Sequence, residues 1–510
     1  MNTFGIFSLL PILVAIFLAI SFRNVILALF VAIWLAGTIF LHGNPILGLI
    51  HAVDKLLINS LTDSDHIRII VFSLLVGAMI GILSKSGATS AFVEIVGRFA
   101  KGRRSAQILT WFSGLFIFFD DYANCLIVGN AMRSLFDKLK ISRQKLAYLV
   151  DSTAAPVASI SLISTWVAFQ VGLIEDSLAK SNIATDAYSF YIQGIAYNFY
   201  PIFTLVYVIS IGALGKDYGP MLTVEKSIKN KKLAVIDPVL KKDTAHAKSA
   251  PTNLLFWLFL LPVFTLIGVA LSVLWFEGKQ DLPANAAIFE ILGNADPYSA
   301  MMKGGLSALI LSLIMCLGLK ILPLKYTMNA LSSGMRDLFD AVVILALAWA
   351  LSSGVAELGA ADYLVGLLQD TLPPMLLPTL VFILAAIVSF STGTSYGTMG
   401  ILMPIVIPLA FAISPENSSL PIAACASVLG GSVFGDHCSP ISDTTVMSSM
   451  GSGCDLLEHV RTQLPYALVT AAITIIFGTL PVGFGFPALA CLLLGAGACV
   501  LSVHLLGRRA

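Results

Sequence analysis

The sequence predicts an all-α polytopic membrane protein of about eleven full spans, arranged as two inverted-topology repeats with re-entrant hairpins and broken helices. Three observations carry this. Hydrophobic residues make up 57% of the 510 positions and charged residues 12%, about half the charged share of ordinary soluble domains, and the mean hydropathy is +0.90. Apolar runs recur close to the ~20 residues that an α-helix needs to cross a bilayer. Several polar stretches, finally, lie inside apolar neighbourhoods rather than between them, which marks interrupted helices.

Composition also excludes. The net charge is +1, and no basic stripe with interleaved aromatics suggests a nucleic acid partner. The cysteines at 125, 316, 425, 438, 454, 491 and 499 form no CxxC pair and lie mostly in apolar runs, so they read as buried small hydrophobes. No G-x-x-x-x-G-K-[ST] loop is present for an ATP-driven pump. Met1 to Ile20 lacks a basic leader and a clear cleavage site and reads as a retained first span.

In chain order, the expected spans are 4–20, 24–41, 67–84, 145–170, 190–214, 254–276, 298–319, 339–354, 419–449, 465–482 and 486–507. Amphipathic pieces at 44–60, 88–101, 325–338 and 357–370 read as interfacial. Residues 216–252 form one long polar segment with Lys231, Lys232, Lys241 and Lys242, expected to be a cytoplasmic linker. Two further apolar segments carry polar tips. Ser105 to Phe136 is interrupted by Asp120-Asp121-Tyr122-Ala123-Asn124, and Pro374 to Ile413 by SFSTGTSYGT at 389–398. Both are expected to be hairpins dipping to mid-membrane.

Charge supports that expectation. The first hairpin is basic at both mouths, with Arg98, Lys101, Arg103 and Arg104 before it and Lys138, Lys140, Arg143 and Lys145 after it. No lysine or arginine occurs between Arg336 and Arg461, around the second. The first hairpin is therefore expected to open to the cytoplasm and the second to the outside. Threading the spans on that basis puts the N-terminus outside and the C-terminus inside, in the cytoplasmic (inner) membrane. Lys55, Arg68, Lys180, Lys279 and Lys303 then fall outside and Arg133 in a hairpin arm, leaving 24 of the 30 basic residues inside.

The halves resemble each other in order: Gly87 pairs with Gly359, Tyr122 with Tyr396 and Pro156 with Pro440. Opposite charge environments make this an inverted repeat. The expected division is an N-terminal repeat at 1–215 (hairpin about 105–139, broken helix about 145–170), the linker at 216–252, a C-terminal repeat at 253–484 (hairpin about 374–413, broken helix about 419–449), and an extra span at 485–510.

The most informative stretch is Gly430 to Met450, GGSVFGDHCSPISDTTVMSSM. Pro440 breaks a helix there, and Gly430, Gly431 and Gly435 are expected to loosen the helix before it. It pairs with DSTAAPVAS at 151–159, as the two hairpin tips pair with each other. Asp120, Asp121, Asp151, Asp436 and Asp443 are then buried acids with no lysine or arginine in their own motifs. Such acids must be protonated or neutralised by a bound cation, which is the physical basis of cation/proton exchange. Hard oxygen ligands suit the cation. Asp151, Asp436 and Asp443 are the candidate sodium ligands, with neutral oxygens from Ser152, Thr153, Thr394, Ser395, Ser439, Ser442, Thr444 and Thr445. His437 suits a pH sensor or relay, or a structural post at the break. Asp151 and Asp436 also suit plain capping of freed amides.

FFDDYAN, VDSTAAPVAS and above all GGSVFGDHCSPISDTTVMSS resemble the NhaC-type sodium/proton antiporter family, within the ion-transporter superfamily. The resemblance runs from about the third span onward. It implies an eleven-span-like inverted-repeat exchanger driven by ion gradients, with Asp151, Asp436, His437, Ser439 and Asp443 as the core and Asp120 and Asp121 beside it. It also implies that organic substrates such as malate and lactate belong among the cargoes of relatives.

The expected function is thus exchange of sodium for protons across the cytoplasmic membrane by competition for buried carboxylates. No enzyme activity and no cofactor are expected, sodium being the transported or coupling ion. The expected partners are the lipid bilayer, sodium and protons; a small organic solute and a homodimer are the further candidates. The rival is ion-coupled transport of a small organic solute, either a carboxylate or an amino acid. The paired Asp120 and Asp121 disfavour an anion and suit an amine. A channel is a remoter reading, as is an intramembrane hydrolase based on Gly393-Thr394-Ser395-Tyr396-Gly397. Asp436, His437 and Cys438, being consecutive, cannot converge on one transition metal.

Overall fold

The computed structural model describes residues 4–22, 24–181, 183–230, 250–280, 295–360, 363, 372–414, 419–440 and 442–509. The described residues are overwhelmingly helical, and no strand occurs among them beyond an isolated bridge between Asp217 and Arg508. Among the described residues, ten helices are long and apolar enough to cross a bilayer, or eleven when one bent pair is counted as a span.

The N-terminal half begins with α1 (Leu10–Phe22) and α2 (Val25–Phe40). The first expected span is a short apolar helix. Helix α2 turns through 115° into α3 (Pro45–Thr62); Asn44 caps the second limb by accepting from the Ile46 and Leu47 amides, with Pro45 at its first position. Next come α4 (Ser64–Lys85) and α5 (Ala88–Gly97). The first hairpin is α6 (Arg103–Phe116) and α7 (Asp121–Lys138). The Asn124 amide nitrogen lies within bonding distance of the Gly114, Ile117 and Thr153 carbonyls, which ties the tip to the helix break that follows.

That break falls inside the DSTAAPVAS motif at 151–159. Helix α8 (Arg143–Asp151) stops at Asp151, a single turn forms at Ala155–Ala158, and α9 (Thr165–Lys180) starts where Ser164 accepts from the Val167 amide. The broken helix expected at 145–170 is two helices around an unwound stretch. Helices α10 (Ala187–Ile195), α11 (Phe199–Leu214) and α12 (Gly219–Asn230) complete this half. Of the expected linker, 231–249 lies outside the described residues, but α12 is a docked helix: Glu225 is buried and takes hydrogen bonds from the Arg103 guanidinium and, at 2.8 Å, the Ser142 amide. Lys145, counted above as a charge at the hairpin mouth, is 1% exposed and pairs with Asp217. The partner lies far along the chain, so local charge patterning missed it.

The C-terminal half runs through α13 (Thr252–Gly278), α14 (Pro297–Gly318), α15 (Leu324–Asp337) and α16 (Phe339–Glu357). The expected interfacial piece at 357–370 lies largely outside the described residues. The second hairpin is α17 (Leu377–Thr392) and α18 (Ser395–Ile413), joined by Gly393 and Thr394 alone. Each of its arms is long and apolar enough to cross a bilayer, whereas those of the first hairpin do not meet that measure. Then follow α19 (Ser419–Cys438), the break around Pro440, α20 (Asp443–Ser452), α21 (Leu456–Ile473) and α22 (Ala488–Leu506).

The glycines before Pro440 act differently from expectation. They do not loosen α19, which is continuous to Cys438. A Cβ on Gly431 would stand 2.4 Å from the Phe382 carbonyl oxygen, and one on Gly435 2.4 Å from that of Ala386. Spaced four residues apart, they let α19 and α17 touch backbone to backbone, the small-xxx-small device of membrane helices. The same device joins α4 to α15, where a Cβ on Gly334 would stand 2.0 Å from the Gly77 carbonyl.

Gly435→Val should therefore lower the thermal midpoint of detergent-purified protein, at a cost of about 1–3 kcal/mol for overpacking. Gly268→Ala, where an added Cβ meets nothing within 4 Å, should leave the midpoint unchanged; equal effects of the two would contradict the contact.

Candidate functional site

The breaks and tips converge. Asp151, 1% exposed, ends α8 at the point where the helix unwinds. Its Oδ2 lies 3.2 Å from His459 Nε2 and accepts from Gln463 Nε2 at 2.7 Å and Thr445 Oγ1 at 3.3 Å. Gln463 also donates to the His437 carbonyl oxygen, and Thr445 to that of Asp436 at 3.4 Å. The N-terminal break is thus tied to the last turn of α19 by side chains that bridge carboxylate and backbone.

His437 sits in the same network. Its Nε2 is 3.0 Å from Ser152 Oγ and its Nδ1 2.8 Å from the Tyr200 hydroxyl. Both ring nitrogens are engaged and the ring is buried, so it connects α8, α11 and α19.

Asp436, one turn before the C-terminal break, has a different set of partners. Ser442 donates to its Oδ1; Ser395 at 3.1 Å and Thr444 at 3.4 Å donate to its Oδ2. Ser442 is also the N-cap of α20, and Ser395 is the first residue of α18. One carboxylate therefore joins the helix before the break, the cap after it and the tip of the second hairpin.

The acids of the first tip meet this group. Asp120 accepts from Thr165 Oγ1 at 3.4 Å, which pins the tip to the start of α9. Asp121 opens α7 and is 2% exposed, and its Oδ1 has no hydrogen-bond partner among the described residues. Asp120 and Asp436 both lie within electrostatic reach of it. Cys125, one turn along α7, is near Asp120, Asp121 and Asp151 alike and accepts from Ser448 Oγ at 3.1 Å.

The other candidates divide. Thr153 spends its hydroxyl on the Leu149 carbonyl, and Thr394 caps α18 by accepting from the Gly397 amide; neither hydroxyl bonds an acid. Ser439 lies buried in the break, its amide bonded to the Asp436 carbonyl. Asp443 opens α20, and its side chain lies outside the described residues. Among the described residues no three His, Cys, Asp or Glu side chains converge as a metal cluster. The acids form two groups, one at Asp151 and one at Asp436 with Asp120 and Asp121, linked through Thr445.

His459, Gln463 and Tyr200 escaped the sequence reading. His459 and Gln463 are spaced i, i+4 on one face of α21, a signal available in the sequence, but the expected span began at 465 and left them in a loop. Two openings adjoin the centre. A cleft of about 90 Å³ is lined by Asp120, Tyr122, Lys85, Asp337, Leu338 and Met447 among others. A second, of only about 10 Å³, reaches Thr165, Phe169 and Tyr396, with Leu338 shared by both.

The profile of the family described as Na+/H+ antiporter family matches residues 157–483. An uncharacterized protein of Haemophilus influenzae is 33% identical over 95% of this chain and 92% of its own length. The malate-2H(+)/Na(+)-lactate antiporter of Bacillus subtilis is 31% identical over 44% of this chain and 43% of its own. The solved structure of the Alcanivorax borkumensis YdaH transporter, described as having an unusual topology, superposes with a TM-score of 0.63 at 16% identity, over 86% of this chain and 90% of that one. At that identity the likeness is one of fold.

His459→Leu strips a partner from buried Asp151 and should destabilise the purified protein by about 1–3 kcal/mol. Adding Asp151→Asn should return much of that loss. A double variant no more stable than His459→Leu alone, by thermal unfolding, would show that the pair does not interact.

Proposed function

Since the chain belongs to the Na+/H+ antiporter family, we propose that it exchanges sodium ions for protons across the cytoplasmic membrane through the carboxylates at its helix breaks. As a multi-pass member of that family it is an ion-coupled antiporter and not an enzyme. Sodium as cargo, and the residues that carry it, are our reading.

One observation carries it. Asp121 Oδ1 is buried without a partner among the described residues, with Asp120 and Asp436 close by. Several anions at that spacing in a low dielectric cannot all stay charged and unanswered. Either protons neutralise some of them or a cation does, and each state disfavours the other. Asp436 suits the cation: the hydroxyls of Ser395, Ser442 and Thr444 donate to it, and by rotating they can offer oxygens to sodium instead. Asp443, next to the Ser442 cap in sequence, belongs to the same proposed ligand set, as does Asp151. Asp151 with His459, and His437 with Ser152 and Tyr200, offer groups suited to moving the proton.

Alternating access would follow from the division of the chain into repeats at 1–215 and 253–484, joined by 216–252 and followed by an extra span at 485–510. In this reading the repeats thread in opposite senses, the N-terminus lies outside and the C-terminus inside. A second reading has a specific observation in its favour: the cleft at Asp120, about 90 Å³, is larger than a bare ion requires. The B. subtilis relative carries organic acids by name, so exchange coupled to a small organic solute is the alternative.

In everted vesicles, Asp436→Asn and Asp121→Asn should each reduce sodium-induced dissipation of a pH gradient to background, while the protein remains inserted and folded by size-exclusion chromatography. Unmodified rates in both variants would overturn the reading.

A further inference from the structure

Where the two hairpin tips meet lies an aromatic cluster that ion exchange leaves unused. Tyr396, in the first turn of α18, stands 4.9 Å by ring centroid from Trp166 and 4.4 Å, edge-on, from Phe169, both on α9. All three rings are buried. Asp120, Asp121 and Asp436 lie within electrostatic reach of the Tyr396 hydroxyl. The Trp166 indole lies beside Asp121 but makes no hydrogen bond of normal geometry.

Unanswered polar atoms gather at this place. Among the described residues, besides Asp121 Oδ1 they are Trp166 Nε1 and both ends of the Gln170 amide, one helical turn further along α9. Gln170 and Trp166 are as deeply buried as the acid. Buried groups without partners are rare, and each is costly. Their signs matter as much as their number. A sodium ion would satisfy the acceptors and leave the indole N–H and the amide NH2 groups unanswered. A molecule that satisfies all of them carries a donor cation and, a few bonds away, an acceptor oxygen. Aromatic faces beside carboxylates are the chemistry that holds an organic ammonium group. A cleft reaches Asp120 past Tyr122, Ile127 and Met447, and a smaller one touches Thr165, Phe169 and Tyr396.

We infer that this junction binds a small amino-acid-like organic ammonium: the amine on Asp120 and Asp121 against the Tyr396 and Trp166 faces, the acceptor oxygens on Trp166 Nε1 and Gln170 Nε2. The inference rests on the antiport reading for the access of these carboxylates to the transport path, and goes beyond it in naming an organic cargo.

Thermal shift of the purified full chain with three compounds at millimolar concentration tests it: L-norleucine, which carries both groups, n-butylammonium, and butyrate, with sodium chloride as a separate arm. Norleucine should stabilise most, butylammonium less and butyrate not at all. Trp166→Phe keeps the ring and removes the N–H. It should weaken norleucine about tenfold and leave butylammonium unchanged. Gln170→Leu should do the same, so the inference does not hang on one variant's folding. Stabilisation by sodium alone would mean that water fills the junction and would overturn the organic site while leaving ion exchange standing. Stabilisation by butyrate equal to that by norleucine would overturn it as well, and silence of every arm, sodium included, would overturn both readings.

Discussion

A carboxylate held inside a bilayer has three ways to be tolerated: a proton, a cation, or a shell of donors. The architecture described here is arranged around that constraint. Asp151 is tolerated through His459, Gln463 and Thr445, and Asp436 through hydroxyls of Ser395, Ser442 and Thr444. The donors come from helices that are distant in sequence, so each acid also fastens elements together. Asp121 stands apart, because one of its oxygens is left without any of these answers among the described residues.

The helix breaks exist because something stabilises their ends. Ser164 and Ser442 cap the helices that resume, and Asn124 reaches three carbonyls left open by the first tip and the first break. In lipid, freed backbone groups have no water to turn to, so these side chains are as necessary to the breaks as Pro440. Capping and ligation are therefore not competing roles. Ser442 does both at once, and a change at Asp436 must be felt by the cap of α20.

Much of this was legible in the chain. Polar motifs at Asp120, Asp151 and Asp436 inside apolar runs announced interrupted helices, and Pro440 marked a break that the structure contains. What was not legible depends on partners remote in sequence. Gly431 and Gly435 have the composition of a weak helix, and their use as a contact surface shows only when α17 is laid beside them. Lys145 looks like a mouth charge until Asp217, Tyr466 and the fold bury it. Gln170 passes as one polar residue in an apolar helix, and its amide becomes conspicuous only once its surroundings prove silent. His459 was lost to a boundary set a few residues late.

The contact between α17 and α19 also restricts motion. Carbonyls one turn apart on α17, those of Phe382 and Ala386, lodge against Gly431 and Gly435 like teeth in a rack, so axial sliding would drive an oxygen into the neighbouring residue's side chain. These two helices must travel as a single slab. Displacements that open or close the path to the acids then have to arise at the borders of that slab, among them the two-residue link at Gly393 and Thr394 and the unwound stretch around Pro440.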